Sequence, residues 1–406
     1  MMFSSNRAER AVSLWSALGD EGFRLFFPLG ALYAAVWPLQ WILVFDLGLP
    51  GVRTTPAFLW HGHEMIFGML GAALIGFMTT AVPEWTDTGR LRGRALYGMA
   101  LLWLGGRLVG FWGVDALVWL GAACDLGWLV WLLYYVAGVS LKKRTDRLLA
   151  FVVWLVFLLF ARIMVAWAFD AQDPMLAQAA LYRAGFAFLG LLGLVLARVS
   201  VPITNLVLDP TEGTTPYRPH PGRQNLAPGL VVVLLAANVS GLSPTVQAWL
   251  SLAAGAAFLD RVGEAFIGRA IWRPEILMLA AASLFAGLGL GLLGLGALGL
   301  PIAPAAGLHV AFMGGLGLGV LAVFSIAGLL HAGLPLAFAP GIRLAGICLV
   351  LAMAARTLPG LGLAWSVPGT PYAWAAVFWA AGFLLWLRIY WPIVSSVGLQ
   401  GQPSVS

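Results

Sequence analysis

Charge is what this chain has least of. Only 10% of its 406 residues are Asp, Glu, Lys or Arg, against 61% hydrophobic, and the mean hydropathy is +0.91. That excludes a water-soluble fold, because one soluble core cannot hide so much apolar surface. Cysteine is nearly missing: Cys124 and Cys348 both lie inside apolar runs without CxxC spacing, which excludes a disulfide framework and a thiolate cluster. Histidine numbers five, so any imidazole chemistry rests on very few positions. The net charge of +6 does not point to nucleic acid. In so apolar a chain, basic residues act as topology signals.

What is present is apolar sequence in long runs. A hydrocarbon core takes roughly 20 apolar residues per helix. Twelve such runs occur, over residues 24–45, 57–82, 95–112, 116–139, 148–169, 177–203, 227–243, 246–266, 275–299, 306–331, 340–361 and 372–395. The expected fold is therefore all-α, a polytopic transmembrane helical bundle of about 12 spans forming a single membrane domain over 1–406. The segment 1–23, with Val12, Leu14, Trp15 and Leu18, reads as a short interfacial amphipathic helix rather than a cleaved signal. Residues 396–406 read as a tail.

With the N-terminus placed inside, 18 of the 23 basic residues fall on the cytoplasmic side, the densest group being Lys142, Lys143, Arg144 and Arg147. This asymmetry predicts both termini cytoplasmic. Fifty glycines serve close helix approach in lipid, as at Gly287 with Gly291 and Gly315 with Gly319, rather than phosphate loops.

The five other arginines, Arg53, Arg107, Arg162, Arg183 and Arg356, are all placed in the outer half of the membrane or at its edge. Arginine at depth costs about 2.5 to 3.5 kcal/mol on insertion scales. Only Glu64 and Asp125 lie at comparable depth, so the expectation is an anionic ligand met by this pool. His61, His63 and His309 share the same level, and imidazole is a ligand for haem iron and for copper. On a regular helix His61 and His63 point about 200° apart, and His61 shares its face with Glu64, Gly68 and Ala72. His309 and His331 are separated by roughly 33 Å, so His331 belongs to a second, inner site or caps a helix end.

The block Trp60-His61-Gly62-His63-Glu64-Met65 followed by Phe67-Gly68 resembles the NnrS family of polytopic bacterial membrane proteins. So do Gly22-Phe23-Arg24-Leu25-Phe26-Phe27, Thr80-Ala81-Val82-Pro83-Glu84-Trp85-Thr86, Leu91-Arg92-Gly93 and Ala197-Arg198-Val199-Ser200-Val201-Pro202. His309 and His331, with Gly333 and Pro335, keep the family's order. The chain departs from the pattern at Ala280, where a histidine is expected, and at Ser325-Ile326, where a threonine–arginine pair is usual. The resemblance implies haem, of b type, and copper, in a protein of the nitric oxide and nitrosative-stress response linked to denitrification. His61, His63, His309 and His331 are then the metal-ligand candidates. Arg53, Arg107, Arg162, Arg183 and Arg356 become partners for haem carboxylates, and Glu64 a group that accepts a proton or orients a histidine. Nitric oxide becomes a candidate iron ligand, and a quinol or a redox protein a candidate partner.

Haem-copper oxidase main subunits offer a looser analogy, with twelve spans and a haem between outer histidines of the second and tenth. The sixth and seventh runs here contain no histidine, so the copper trio of those oxidases is missing and oxygen reduction by that route is not expected. Two other functions fit twelve spans: a secondary transporter holding an anion on the outer arginines, and a structural or assembly subunit of a respiratory complex.

Overall fold

The computed structural model describes residues 14–47, 55–112 and 115–396, and the described residues contain helices and no strand. Most of the interfacial segment read over 1–23, Arg53, and the tail beyond residue 396 lie outside them. A short helix α1 (Leu14–Leu18) precedes α2 (Gly22–Leu47), α3 (Ala57–Thr86), α4 (Arg94–Trp112), α5 (Val118–Lys143), α6 (Leu149–Asp170) and α7 (Pro174–Leu208). Then come α8 (Leu226–Val239), α9 (Pro244–Val262), α10 (Pro274–Ala297), α11 (Pro304–Leu330), α12 (Pro340–Leu361) and α13 (Pro371–Val394). Proline sets several of the starts. It occupies the first turn of α7, α9, α10, α11, α12 and α13, where its missing N–H costs nothing.

Every apolar run is thus a helix, but among the described residues ten helices rather than twelve are long and apolar enough to cross a membrane. The difference lies in α8 and α9. The 14 residues of α8 reach only about 21 Å, short of a hydrocarbon core of about 30 Å. The 19 residues of α9 include Gln247, Ser251, Asp260 and Arg261, and its Ser251 hydroxyl donates to the Leu290 carbonyl of α10 at 2.8 Å.

Helices α4 to α10 pack each against the next, while α12 pairs with α13 and α13 returns to α2. Inside this arrangement α3 and α11 are the most enclosed: 89% and 78% of their apolar windows are buried, α2 matches α11, and no other spanning helix exceeds 56%. The two enclosed helices share an irregularity. Each turns π-helical directly after a histidine, over Glu64–Leu70 in α3 and Val310–Gly317 in α11, and such widened turns recur at functional positions.

Glycine sets the spacing of these helices. A Cβ on Gly289 of α10 would overlap the Ala311 nitrogen and Gly307 carbonyl of α11, and one on Gly307 would meet the Gly289 carbonyl. Backbone therefore lies on backbone beside His309. Gly289→Leu is expected to force the two helices apart and to lower the thermal midpoint of the detergent-purified protein by the equivalent of about 2 to 3 kcal/mol, while Gly291→Leu, facing open space, should melt with the wild type. Of the two glycine pairs read from spacing, Gly287 meets Gly255 of α9, Gly315 meets Ala286, and Gly319 meets Leu192.

The start of α2 meets the end of α13. Arg24, at the start of α2 and 2% exposed, donates from Nη1 to the carbonyls of Ile393, Val394 and Ser396 at 3.0, 3.2 and 2.6 Å. This end of the bundle is called the terminal face below.

Candidate functional site

Three polar assemblies occupy the enclosed helices. The first is an ion network at the level of His63 and Glu64 of α3. Arg107 of α4 donates to Glu64 Oε2 of α3 at 2.6 Å and to Asp125 Oδ1 of α5 at 2.5 Å. Arg162 of α6 donates to Asp125 Oδ2 at 3.0 Å. His63 Nδ1 lies 2.8 Å from Glu64 Oε1, and its Nε2 lies 3.5 Å from Asp125 Oδ2. The Tyr33 hydroxyl of α2 donates to Glu64, and Trp128 Nε1 to Asp125 at 3.2 Å. His63, Glu64, Arg107, Asp125 and Arg162 are each at most 3% exposed, yet two cations face two carboxylates, which is what permits burial. Room comes from α4: a Cβ on Gly106 would overlap the Asp125 carboxylate, and one on Gly110 that of Glu64.

The second assembly is a cavity of about 420 Å³ near the opposite face, between α3, α7, α11, α12 and α13. His61 and His309 line it from the two π-containing helices, together with Met65, Met69, Met313, Gln178, Tyr182, Arg356 and Tyr372. His309 Nδ1 donates to the Ala305 carbonyl at 2.6 Å. That bond fixes the tautomer and leaves Nε2 as the basic nitrogen, the way ligating imidazoles are oriented. The Arg356 guanidinium lies over the Tyr372 ring, 4.9 Å from its centroid.

The third is a cavity of about 570 Å³ at the terminal face, between α3, α7 and α11, lined by Glu84, Arg90, Arg198 and His331 among apolar residues. His331 Nδ1 lies 2.9 Å from Glu21 Oε1 and Nε2 3.3 Å from Glu84 Oε2. Arg90 in turn holds Glu21 at 3.1 Å. Burial opposes the charged imidazole, but the two carboxylates outweigh it and push its pKa up to about 9. The stabilisation is complete below about pH 6.5 and is lost as pH rises through about 9. His331→Ala should therefore cost about 2 kcal/mol at pH 6, and melting curves from pH 6 to 9.5 should fall with pH in the wild type but stay flatter in the variant.

The sequence-derived site is thus divided. Of the four histidines, only His61 and His309 line a common cavity. His63 and Glu64 belong to the ion network, and Glu64 orients His63 rather than His61. His331 sits at the other end among carboxylates. The arginines do not converge either. Arg107 and Arg162 are held by Glu64 and Asp125, Arg183 donates to Asn238 of α8 at 2.7 Å, and Arg53 lies outside the described residues, leaving Arg356 as the one of the five found at the histidine cavity. The π turns explain the change of face on α3. With more than 3.6 residues per turn, His61 continues into Met65, Ile66, Met69 and Leu70 rather than Glu64 and Gly68. Sequence reading assigned no site role to Tyr33, Glu21, Met69 or Met313, nor to Arg198 and Met65, which stand in the family-like blocks. Glu84 stood within a quoted block, but its pairing with His331 across helices left no mark in spacing.

Among the described residues no cluster of three or more His, Cys, Asp or Glu is placed to hold a metal ion. A two-imidazole cavity with apolar walls, of the 300 to 1,000 Å³ size usual for cofactor pockets, and with one guanidinium for a carboxylate, fits a haem better than a multidentate metal centre.

Fold and cavities define a polytopic helical membrane protein with a histidine-lined pocket between its most enclosed helices. Compared with known families, residues 17–397 match the NnrS protein family. The chain belongs to that family, whose association is with the response to nitric oxide. No curated protein and no solved structure matches it.

Proposed function

We propose that this protein binds a b-type haem in the cavity near the opposite face and acts in nitric oxide or nitrosative-stress handling at a bacterial inner membrane. One observation carries the reading: His61 and His309, from different helices, line a single apolar-walled cavity, and His309 presents Nε2 because Nδ1 is engaged. His61 and His309 would hold the iron, and Arg356, backed by Tyr372, would meet a carboxylate. Haem bound there would supply one-electron chemistry at iron, and a site for nitric oxide if only one of the two imidazoles is a ligand. The preference of Lys and Arg for the terminal side of the spans supports placing that face in the cytoplasm. The cavity then lies toward the outer side, sealed from the terminal face by the packed cores of α3 and α11.

Anion transport on a pool of outer arginines has lost its main support, since three of the five are engaged with protein groups elsewhere. The test is the oxidised and dithionite-reduced visible spectrum of purified protein, with haem and metal analysis of the same sample. Stoichiometric haem with sharp reduced α and β bands is the expected result, and added nitric oxide would then report whether iron has an open position. A colourless, metal-free, folded protein overturns the proposal. Copper without haem would also overturn it and would point to the imidazoles and the Met65, Met69 and Met313 thioethers as soft ligands.

A further inference from the structure

The terminal-face cavity takes no part in that reading, and its chemistry is of a different kind. Phe27, Phe77, Val323 and Ile326 make an apolar wall, and Glu84, His331, Arg198 and Thr80 make a polar edge. The edge mixes signs. The side chain of Glu84 is 65% exposed, so its carboxylate is available to a ligand even while it faces His331. Arg198 is fixed by donation to the Arg147 carbonyl at 2.5 Å and lies over the Trp85 ring, 5.0 Å from its centroid.

A simple anion would meet Glu84 and a simple cation would meet Arg198, so neither matches the whole edge. An aromatic ring with oxygen at its rim does. Its carbonyl form accepts from Arg198 or Thr80, and its hydroxyl form donates to Glu84. The apolar wall takes the ring faces, and the site lies at one end of membrane-spanning helices, where a lipid-borne ring resides.

The terminal-face cavity also lies close to the histidine cavity. Phe27 stacks on Phe324 with centroids 4.1 Å apart, and Phe324 lies beside Gly30, against which the Met69 carbonyl also packs. Met69 lines the histidine cavity. Along α3 the nearest lining residues of the two cavities, Leu70 and Phe77, are separated by about 10 Å.

We propose that the terminal-face cavity binds the head of a membrane quinone or quinol, with Glu84 as acceptor for the quinol hydroxyl and Arg198 as donor to the quinone carbonyl. The assignment stands on this cavity's own side chains and holds whether or not haem occupies the other.

The test titrates detergent-purified full-length protein with decylubiquinone and with its hydroquinone, under anaerobic conditions, by isothermal calorimetry. Saturable binding of one molecule per chain is expected. Glu84→Gln keeps the size of an exposed side chain and removes the charged acceptor, so it should weaken hydroquinone binding about tenfold or more while leaving the quinone within about threefold. Ile326→Trp, which fills the cavity, should abolish both. No saturable binding of either form, or equal affinities for both in wild type and Glu84→Gln, overturns the proposal. So does displacement of neither form by Ile326→Trp in a variant that elutes as the wild type does. Saturable binding of phosphatidylglycerol in place of the quinone also overturns it and reassigns the cavity to a lipid headgroup. Haem content plays no part in this readout.

Discussion

Changing His309 to Ala is expected to strip the protein of its haem signal or convert it to a different ligation state, with occupancy falling about tenfold or more, since even loss of an outer-shell partner of a metal ligand costs 10- to 100-fold in affinity. His309 comes from one wall of the cavity and His61 from the other, so His61→Ala should produce the same class of change. His63→Ala is the informative contrast. Its ring lies between Glu64 and Asp125, and that variant should keep the haem spectrum while losing stability. The measurement is a reduced-minus-oxidised spectrum normalised to protein for all three. A His309→Ala protein with full occupancy and an unchanged spectrum would remove His309 from the iron. Loss of haem in His63→Ala alone would move the site to the ion network.

Replacing Arg107 by Leu should have the largest effect on folding. Arg107 is the one cation that touches both buried carboxylates. Without it Arg162 still holds Asp125, but Glu64 keeps only His63 and the Tyr33 hydroxyl. Removing one partner of a buried pair costs about 3 to 5 kcal/mol, because a charge stays behind without compensation. The network joins α2, α3, α4, α5 and α6, so the loss should appear as a broad lowering of the melting temperature and as aggregation in size-exclusion profiles. Adding Glu64→Gln to Arg107→Leu should recover part of the loss, because it removes the stranded charge. If the double variant is no better than the single one, the guanidinium acts through packing against Tyr33 and Trp103 rather than through charge.

The helices were legible because lipid imposes one rule on every span: a long apolar run must be a helix. The proline starts at Pro174, Pro244, Pro274, Pro304, Pro340 and Pro371 sharpened the edges. What the run length hid was the poor fit of α8 and α9 to a full crossing, where Ser251, Asp260 and Arg261 interrupt the apolar surface. The site was legible in its residue types and not in its partners. His61 and His309 stood out as imidazoles at one level, and they do line one cavity. Counting charges by depth, however, treated Arg107 and Arg162 as free when Asp125 was near enough to serve both. The face assignment on α3 used a constant turn of 3.6 residues, and the π segment from Glu64 to Leu70 breaks that constant at the point where it mattered. Glu21 precedes α2, Glu84 lies in α3 and His331 follows α11, so no spacing in the chain links them.

The clasp of Arg24 on the last turn of α13 has a consequence for biogenesis. The guanidinium and its three carbonyl partners are 369 to 372 residues apart in the chain, which at about 5 to 20 residues per second is roughly 20 to 75 s of synthesis. For that interval α2 is in the membrane with a basic group at its start and none of those acceptors. The Arg24 contacts therefore cannot form as the ribosome delivers the early helices; they close only once α13 has been made.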